Sequence, residues 1–515
     1  MSARATSVAR LVAAVLGAVT IAALVAPQAA LGHALGQVFT LPVPLGLYLA
    51  GAALAVAASF VVSVVVVRPA GPVPRYPVWP VSPGIARVLS VALQLLGLLW
   101  WFGTILSGFL VDPVSPLPAV LFWIGVWVGV PLSAVLLGNP WPSLSPFRTT
   151  FGALEWLGRH VGMERPDFGV PYPAGLGRWP ASAFLLAGLW CELILPGKVE
   201  PANVAGLLLG YTLVTMLGML VFGRVAWLRH AELFEVLVGW LGRIGPVGRR
   251  VAVSAVCEGC AEGCDPDRCI DCPECSTAGE PGERQPELRW WFTGLTEVRH
   301  VGWSDAAFIV LALAGVTFDG LKETVFWGSA QAFLFPIVSN IVNAADTVIV
   351  VQTVGLLGTW LAFLAAFSVA AWLTRALHDL ARQPPSMGGL VGVYASTLLP
   401  IAGGYLIAHY LTLAVQGAMW LPGLLANPLD TAAPPLDWMP VSGVWYLSVG
   451  AIVLGHIVAV VLAHRVALRD SPSRPVLAGL PLVVLMVGYT VLSLWIIAAP
   501  ITIEPGVVPA ASVPH

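Results

Sequence analysis

Six of the seven cysteines fall in one short run, CEGCAEGCDPDRCIDCPEC, as Cys257, Cys260, Cys264, Cys269, Cys272 and Cys275. A CxxC bend presents two thiolates from one turn, and four thiolates complete a tetrahedral zinc site. Cys257 and Cys260 can pair with Cys269 and Cys272, or equally with Cys272 and Cys275, and six thiolates can share two zinc ions. An iron–sulfur cluster is a rival reading, because Cys269, Cys272 and Cys275 keep the spacing that opens a ferredoxin run, although the proline follows Cys272. An unliganded, redox-active loop is the third. Zinc here would staple a loop too small to build its own core, a structural role. A catalytic zinc would keep an open position beside a general base, and the run supplies no such base.

A second set of residues stands in or beside long apolar runs: Glu192, Asp319, Glu323, Asp346 and His409. Ionisable side chains at membrane depth are costly and mark binding or ion pathways by default. Helical spacing puts Asp319, Lys322 and Glu323 on one face. If the five converge, they form a polar pocket open to the outside that could hold a small solute or a metal ion. The plainer reading is that each is an interface residue or is paired locally, for example with Lys322 or Asn340. Pro400 with Gly403 and Gly404 can break the helix that carries His409 and free backbone groups to line a cavity. His33 adds a further ligand if it becomes the mature N-terminus, since a free amine and an imidazole chelate copper.

These residues need a scaffold, and the composition defines it. Of 515 residues 58% are hydrophobic and 10% charged, with a net charge of −2 and a mean hydropathy of +0.85. Soluble domains carry about 25% charged residues. The shortfall excludes a soluble enzyme, a disordered chain and a nucleic-acid binder that works through phosphate contacts. A bilayer span needs about 20 apolar residues. Eleven segments qualify or nearly do: 8–26, 45–67, 86–110, 117–137, 181–196, 201–222, 303–318, 346–374, 390–418, 441–463 and 475–499, with 181–196 and 303–318 short. The expected fold is an all-α polytopic transmembrane bundle of about ten helices once the first segment is removed. No internal repeat is evident.

The first segment has Arg4 and Arg10 before an apolar core and a small-x-small pattern at Ala30 and Gly32. Residues 1–32 therefore read as a signal peptide, cleaved before His33, or as an uncleaved anchor. Threading the spans alternately puts every Lys and Arg on one side except Lys198 and Lys322. The positive-inside rule makes that side the cytoplasm of a cell (inner) membrane, with the mature N-terminus and the C-terminus outside. The chain then divides into a first helix group at 33–243, a cytoplasmic Cys-rich loop at 244–300 and a second helix group at 301–515. In the first group, 147–158 and 229–243 are too polar to span. Leu233, Phe234, Leu237, Val238 and Leu241 give 229–243 an apolar face, which suits a helix on the inner membrane surface or one packed on the bundle.

Several short motifs point to a family: Gly32-His33-Ala34-Leu35-Gly36, Leu41-Pro42-Val43-Pro44, Asn139-Pro140-Trp141-Pro142, Trp190-Cys191-Glu192-Leu193, Ala231-Glu232-Leu233-Phe234 and Phe318-Asp319-Gly320. Together they resemble polytopic prokaryotic membrane proteins labelled fenitrothion hydrolase, over most of the chain apart from the cysteine run. The label implies phosphotriester hydrolysis, which commonly uses one or two metals. The sequence shows no His-rich binuclear motif, no GxSxG and no nucleophile–base pair.

Three functions follow as expectations. The leading one is binding or transport of a small solute or metal ion through the outward-facing pocket. The second is a membrane-embedded metal-dependent hydrolase. The third is a scaffold whose zinc-stapled cytoplasmic loop docks a protein partner. The expected surroundings are the lipid bilayer in each case.

Overall fold

The structure is a computed structural model and describes residues 39–40, 44–67, 76–77, 82–163, 165–251, 284–298, 301–378, 386–499 and 502–503. The signal segment, His33 and all six clustered cysteines lie outside the described residues.

In chain order the helices are α1 (Leu45–Val66), α2 (Pro83–Leu110), α3 (Leu117–Leu136), α4 (Pro146–His160), α5 (Trp179–Leu193), α6 (Pro201–Phe222), α7 (Arg224–His230) and α8 (Leu233–Leu241). They continue as α9 (Trp303–Leu321), α10 (Val325–Val338), α11 (Ala344–Ala376), α12 (Met387–Ser396), α13 (Leu399–Ala426), α14 (Val441–Asp470) and α15 (Pro475–Ala498). Strands are few: Phe39–Thr40 pairs in parallel with Thr502–Ile503, and Val247–Val251 pairs antiparallel with Arg284–Leu288. The second pair closes the neck of the cysteine-bearing segment.

Among the described residues nine helical stretches are long and apolar enough to cross a membrane, with α12 and α13 counted as one. Their outer faces remain apolar: Val65 is 79% exposed, Leu99 72% and Leu110 74%. Such faces would aggregate in water but match lipid. The chain is an all-α polytopic bundle, as its hydropathy predicts.

The differences are local. The segment expected at 303–318 extends to Leu321 and reaches spanning length. The one expected at 181–196 becomes α5, whose fifteen residues rise about 22 Å, short of a hydrocarbon core of about 30 Å. Helix α10 was hidden between Glu323 and Asn340. Thr324 caps its start, accepting from the Trp327 amide at 3.3 Å, and Pro336 sits inside it. The segment 229–243 is not a surface helix: Leu233, Phe234, Val236, Val238, Trp240 and Leu241 are all buried, so both faces of α8 are covered.

Two compact units emerge. One gathers the described residues within 1–69, 310–409 and 437–515; the other gathers those within 70–309 and 410–436. In the first, α15 packs on α1, α11 and α14. The break before His409 falls at Thr397 and Leu398, just ahead of Pro400. Gly404 does not open a cavity. A Cβ there would come within 2.4 Å of the Ala451 carbonyl, and one at Gly455 within 2.4 Å of the Pro400 carbonyl. These two glycines bring the backbones of α13 and α14 into contact, the use small residues have in membrane bundles. In the second unit α6 packs on α2 and α7, around an aromatic cluster of Trp101, Phe122, Phe147, Tyr211 and Phe234.

Candidate functional site

In the first unit Asp319 stands in the last turn of α9 and is buried. Its Oδ2 lies 2.7 Å from His409 Nε2 on α13, and its Oδ1 lies 2.9 Å from Lys322 Nζ. Tyr405 lies one turn before His409, with ring centroids 6.0 Å apart. Its hydroxyl is buried and has no hydrogen-bond partner among the described residues. A Cβ on Gly320 would approach that hydroxyl to 2.8 Å, so Tyr405 Oη sits beside the residue that follows Asp319. A carboxylate is thus held between an imidazole and an ammonium, with an underused hydroxyl next to them. Such a buried polar group calls for a functional account.

Two of the other expected pocket residues, Glu323 and Asp346, are exposed. Asp346 stands at the start of α11, where it accepts from Asn343 Nδ2 at 2.6 Å and its own amide donates to Asn343 Oδ1 at 2.9 Å. That is helix-capping work. Glu192 belongs to the second unit, where its Oε1 accepts from Tyr410 Oη at 3.3 Å and its carbonyl from Lys198 Nζ. Among the described residues no group of three or more His, Cys, Asp or Glu is arranged to hold a metal ion.

Two sites in the second unit escaped the sequence reading. The first is Glu232, fully buried ahead of α8. Its Oε2 accepts from Trp141 Nε1 at 2.9 Å and from the Glu235 amide at 2.7 Å. Its Oε1 accepts from Tyr211 Oη at 2.6 Å and from the Phe234 amide at 3.1 Å. Burial raises its pKa to about 7, against the pull of the Tyr211 and backbone donors. The motif residues Trp141 and Glu232, far apart in sequence, therefore meet in one buried network. Its carboxylate is saturated, which suits a structural role in holding α8 inside the unit.

The second is a cavity of about 440 Å3 lined by six arginines, Arg148, Arg178, Arg224, Arg229, Arg243 and Arg249. In the sequence these served only to orient the spans. The signal was their position at the ends of neighbouring apolar segments.

No family model, curated protein or solved structure matches this chain. Its class rests on the fold: a multi-pass α-helical membrane protein.

Proposed function

We propose that the chain binds a small solute and moves it across the cell membrane, with Asp319, His409 and Lys322 as its ionisable centre. The observation that carries this reading is the 2.7 Å contact between Asp319 and His409, made at the end of one membrane helix and within another. The His409 imidazole can gain or lose a proton, and the Asp319 carboxylate orients it. Proton exchange there changes the charge of the cluster and so the affinity of its surroundings for a charged or polar solute. Tyr405 Oη supplies a donor for that solute. The distribution of Lys and Arg supports a cytoplasmic Cys-rich loop with both mature termini outside. Cysteine spacing supports structural zinc in that loop.

A second reading has its own support. An imidazole oriented by a carboxylate is also the arrangement of a general base. In that case His409 activates water against a phosphotriester, in line with the fenitrothion hydrolase resemblance.

The test is reconstitution of the full chain in liposomes loaded with a pH-sensitive dye. Amino acids, sugars, divalent cations and a phosphotriester are added outside in turn. Transport predicts a solute-driven internal pH change or uptake that His409→Gln and Asp319→Asn both abolish. Uptake that survives both variants would overturn the ionisable centre. Release of the phosphotriester's leaving group, lost in His409→Gln, would favour the hydrolase.

A further inference from the structure

Helix α14 carries two histidines that the Asp319 cluster does not use. His456 and His464 are 0% and 1% exposed, and both lie in the first unit. With Ser448, Ile452 and Val460 they follow one i, i+4 ridge of α14, and every residue of that ridge is buried. His456 Nδ1 lies 2.8 Å from the Ile452 carbonyl. A carbonyl only accepts, so Nδ1 carries a hydrogen and Nε2 of the neutral ring is left as an acceptor. That Nε2 is buried and has no hydrogen-bond partner among the described residues, and the same holds for both ring nitrogens of His464. Buried polar atoms are normally bonded, because an unmade bond is costly. Three such nitrogens on one membrane helix need a donor that can reach them.

The surroundings of the ridge are defined by α1 and α15. Leu49 of α1 and Leu494 of α15 pack with Ile452, and Phe60 of α1 lies edge-on to His464 with ring centroids 5.7 Å apart. Helix α1 therefore runs parallel to α14, which brings Ser59 and Ser63 to the level of His464. Helix α15 returns antiparallel, which brings Thr490 to the level of His456. These hydroxyls donate to carbonyls of their own helices, Ser59 to Val56 and Ser63 to Ser59 at 2.7 Å, and Thr490 to Met486 at 2.8 Å. Each oxygen keeps lone pairs for a further donor.

At one end the ridge reaches the Asp319 centre, where Ser448 Oγ donates at 3.0 Å to the carbonyl of Ala408, the residue before His409. At the other end stand Arg465 and the Arg469–Asp470 ion pair at 2.7 Å. Helices α1, α12, α13 and α15 pack on α14 and contain no Asp, Glu, Lys or Arg. Their titratable groups within the first unit are Tyr48, Tyr394, Tyr405, His409 and Tyr489. A charge taken up on the two rings meets no counter-ion on these helices, so the rings hold a proton only in passing.

We propose that His456 and His464 are stations of a water-mediated proton path along α14, joining the Asp319–His409 centre to the helix end that carries Arg465 and Arg469. Its use in coupling rests on the transport reading above. Ser448, His456 and His464 follow at eight-residue steps, about 12 Å along the axis, a gap that roughly three or four hydrogen-bonded waters bridge. His456 takes a proton on Nε2 and gives it up from Nε2, while Nδ1–H stays on the Ile452 carbonyl. His464 takes one on either nitrogen and releases one from the other. One proton enters and one leaves, so each ring returns to its neutral state.

The experiment uses the full chain in liposomes and has two arms. The first needs no variant: exchange of the histidine Cε1 hydrogen in D2O, read by mass spectrometry, occurs only where water and base reach the ring. His456 and His464 should exchange within about a hundredfold of the rate of exposed His160. In the second arm a valinomycin-set potassium potential drives protons into dye-loaded liposomes. His456→Phe and His464→Phe should each slow proton entry about tenfold or more, and His160→Gln should leave it unchanged. No exchange at the two buried histidines, no proton entry with the wild-type chain, or entry unchanged in both Phe variants overturns the path. Solute uptake that persists beside any of these results leaves transport standing without the path. Proton entry that the variants abolish, with no uptake of any solute tested, leaves the path standing and fails the transport reading.

Discussion

His409 Nε2 meets Asp319 Oδ2 at 2.7 Å, although ninety residues separate them in the chain. Lys322 holds the other carboxylate oxygen at 2.9 Å. Asp319 is therefore the shared partner of two cationic or proton-bearing groups. Its replacement by leucine should destabilise the protein by about 2 kcal/mol, below the cost of breaking a fully buried pair because His409 and Lys322 reach solvent. Asp319→Asn should cost less, since the amide oxygen still accepts one bond. Thermal unfolding in detergent measures both. In Lys322→Met the Asp319→Leu penalty should shrink, because that cation no longer loses its countercharge.

Glu232 gives a pH prediction. Its ordinary pKa is near 4.5 and its buried value about 7. The folded state therefore holds a proton that the unfolded state has released across this window. The contribution is complete below about 4.5 and is lost as pH rises through about 7, of the order of 3 kcal/mol in all. Unfolding free energy should fall over that range in the wild-type protein. Glu232→Gln should flatten the slope, and should also lower stability at every pH by about 1–3 kcal/mol, because its amide NH2 faces donors from Trp141 or Tyr211.

The spans were legible because backbone polar groups in lipid must bond within their own segment, which makes a span a local property of about 20 residues. Sites are not local. Depth placed Asp319 and His409 in the same outer layer, but Glu323 and Asp346 share that depth and face solvent. Nothing in the sequence says which side of a helix meets another helix. Arginines such as Arg178 and Arg243 were informative as a sum, through the positive-inside count, and that sum hid their convergence. Glu232 stood in the sequence only as part of a short motif, because the partners that satisfy its carboxylate, Trp141 and Tyr211, are distant in sequence. Helix α10 was missed because Lys322 and Glu323 ahead of it and Asn340 behind it resemble a loop.

The contact between α13 and α14 predicts a sharp contrast along one helix. Gly455→Ala would place a methyl carbon 2.4 Å from the Pro400 carbonyl. The two backbones must separate, at about 2 kcal/mol. Gly450, on the same helix, has open space where its Cβ would be. Gly450→Ala should be neutral or stabilise by up to about 1 kcal/mol, from helix propensity. Thermal unfolding of both variants in one detergent separates the packing effect from the propensity effect. Equal melting temperatures would show that α13 and α14 do not touch at these glycines.

The cysteine run makes the last prediction. Its neck is a short antiparallel strand pair, Val247–Val251 with Arg284–Leu288, and two strands alone are marginal in water. A metal clip between them would stabilise that neck by removing conformational freedom from the loop. Elemental analysis of protein purified without a histidine tag should find one or two zinc ions per chain. Cys269→Ser/Cys272→Ser should lose at least one of them, since these residues serve in every pairing of the bends as one or both thiolates. The same variant should increase protease cleavage between residues 252 and 283 while leaving detergent-bound helix content unchanged. Metal-free protein with all six thiols reactive would remove structural zinc and turn attention to a redox or partner-binding role. Iron in place of zinc, with visible absorbance bleached on reduction, would instead identify a cluster.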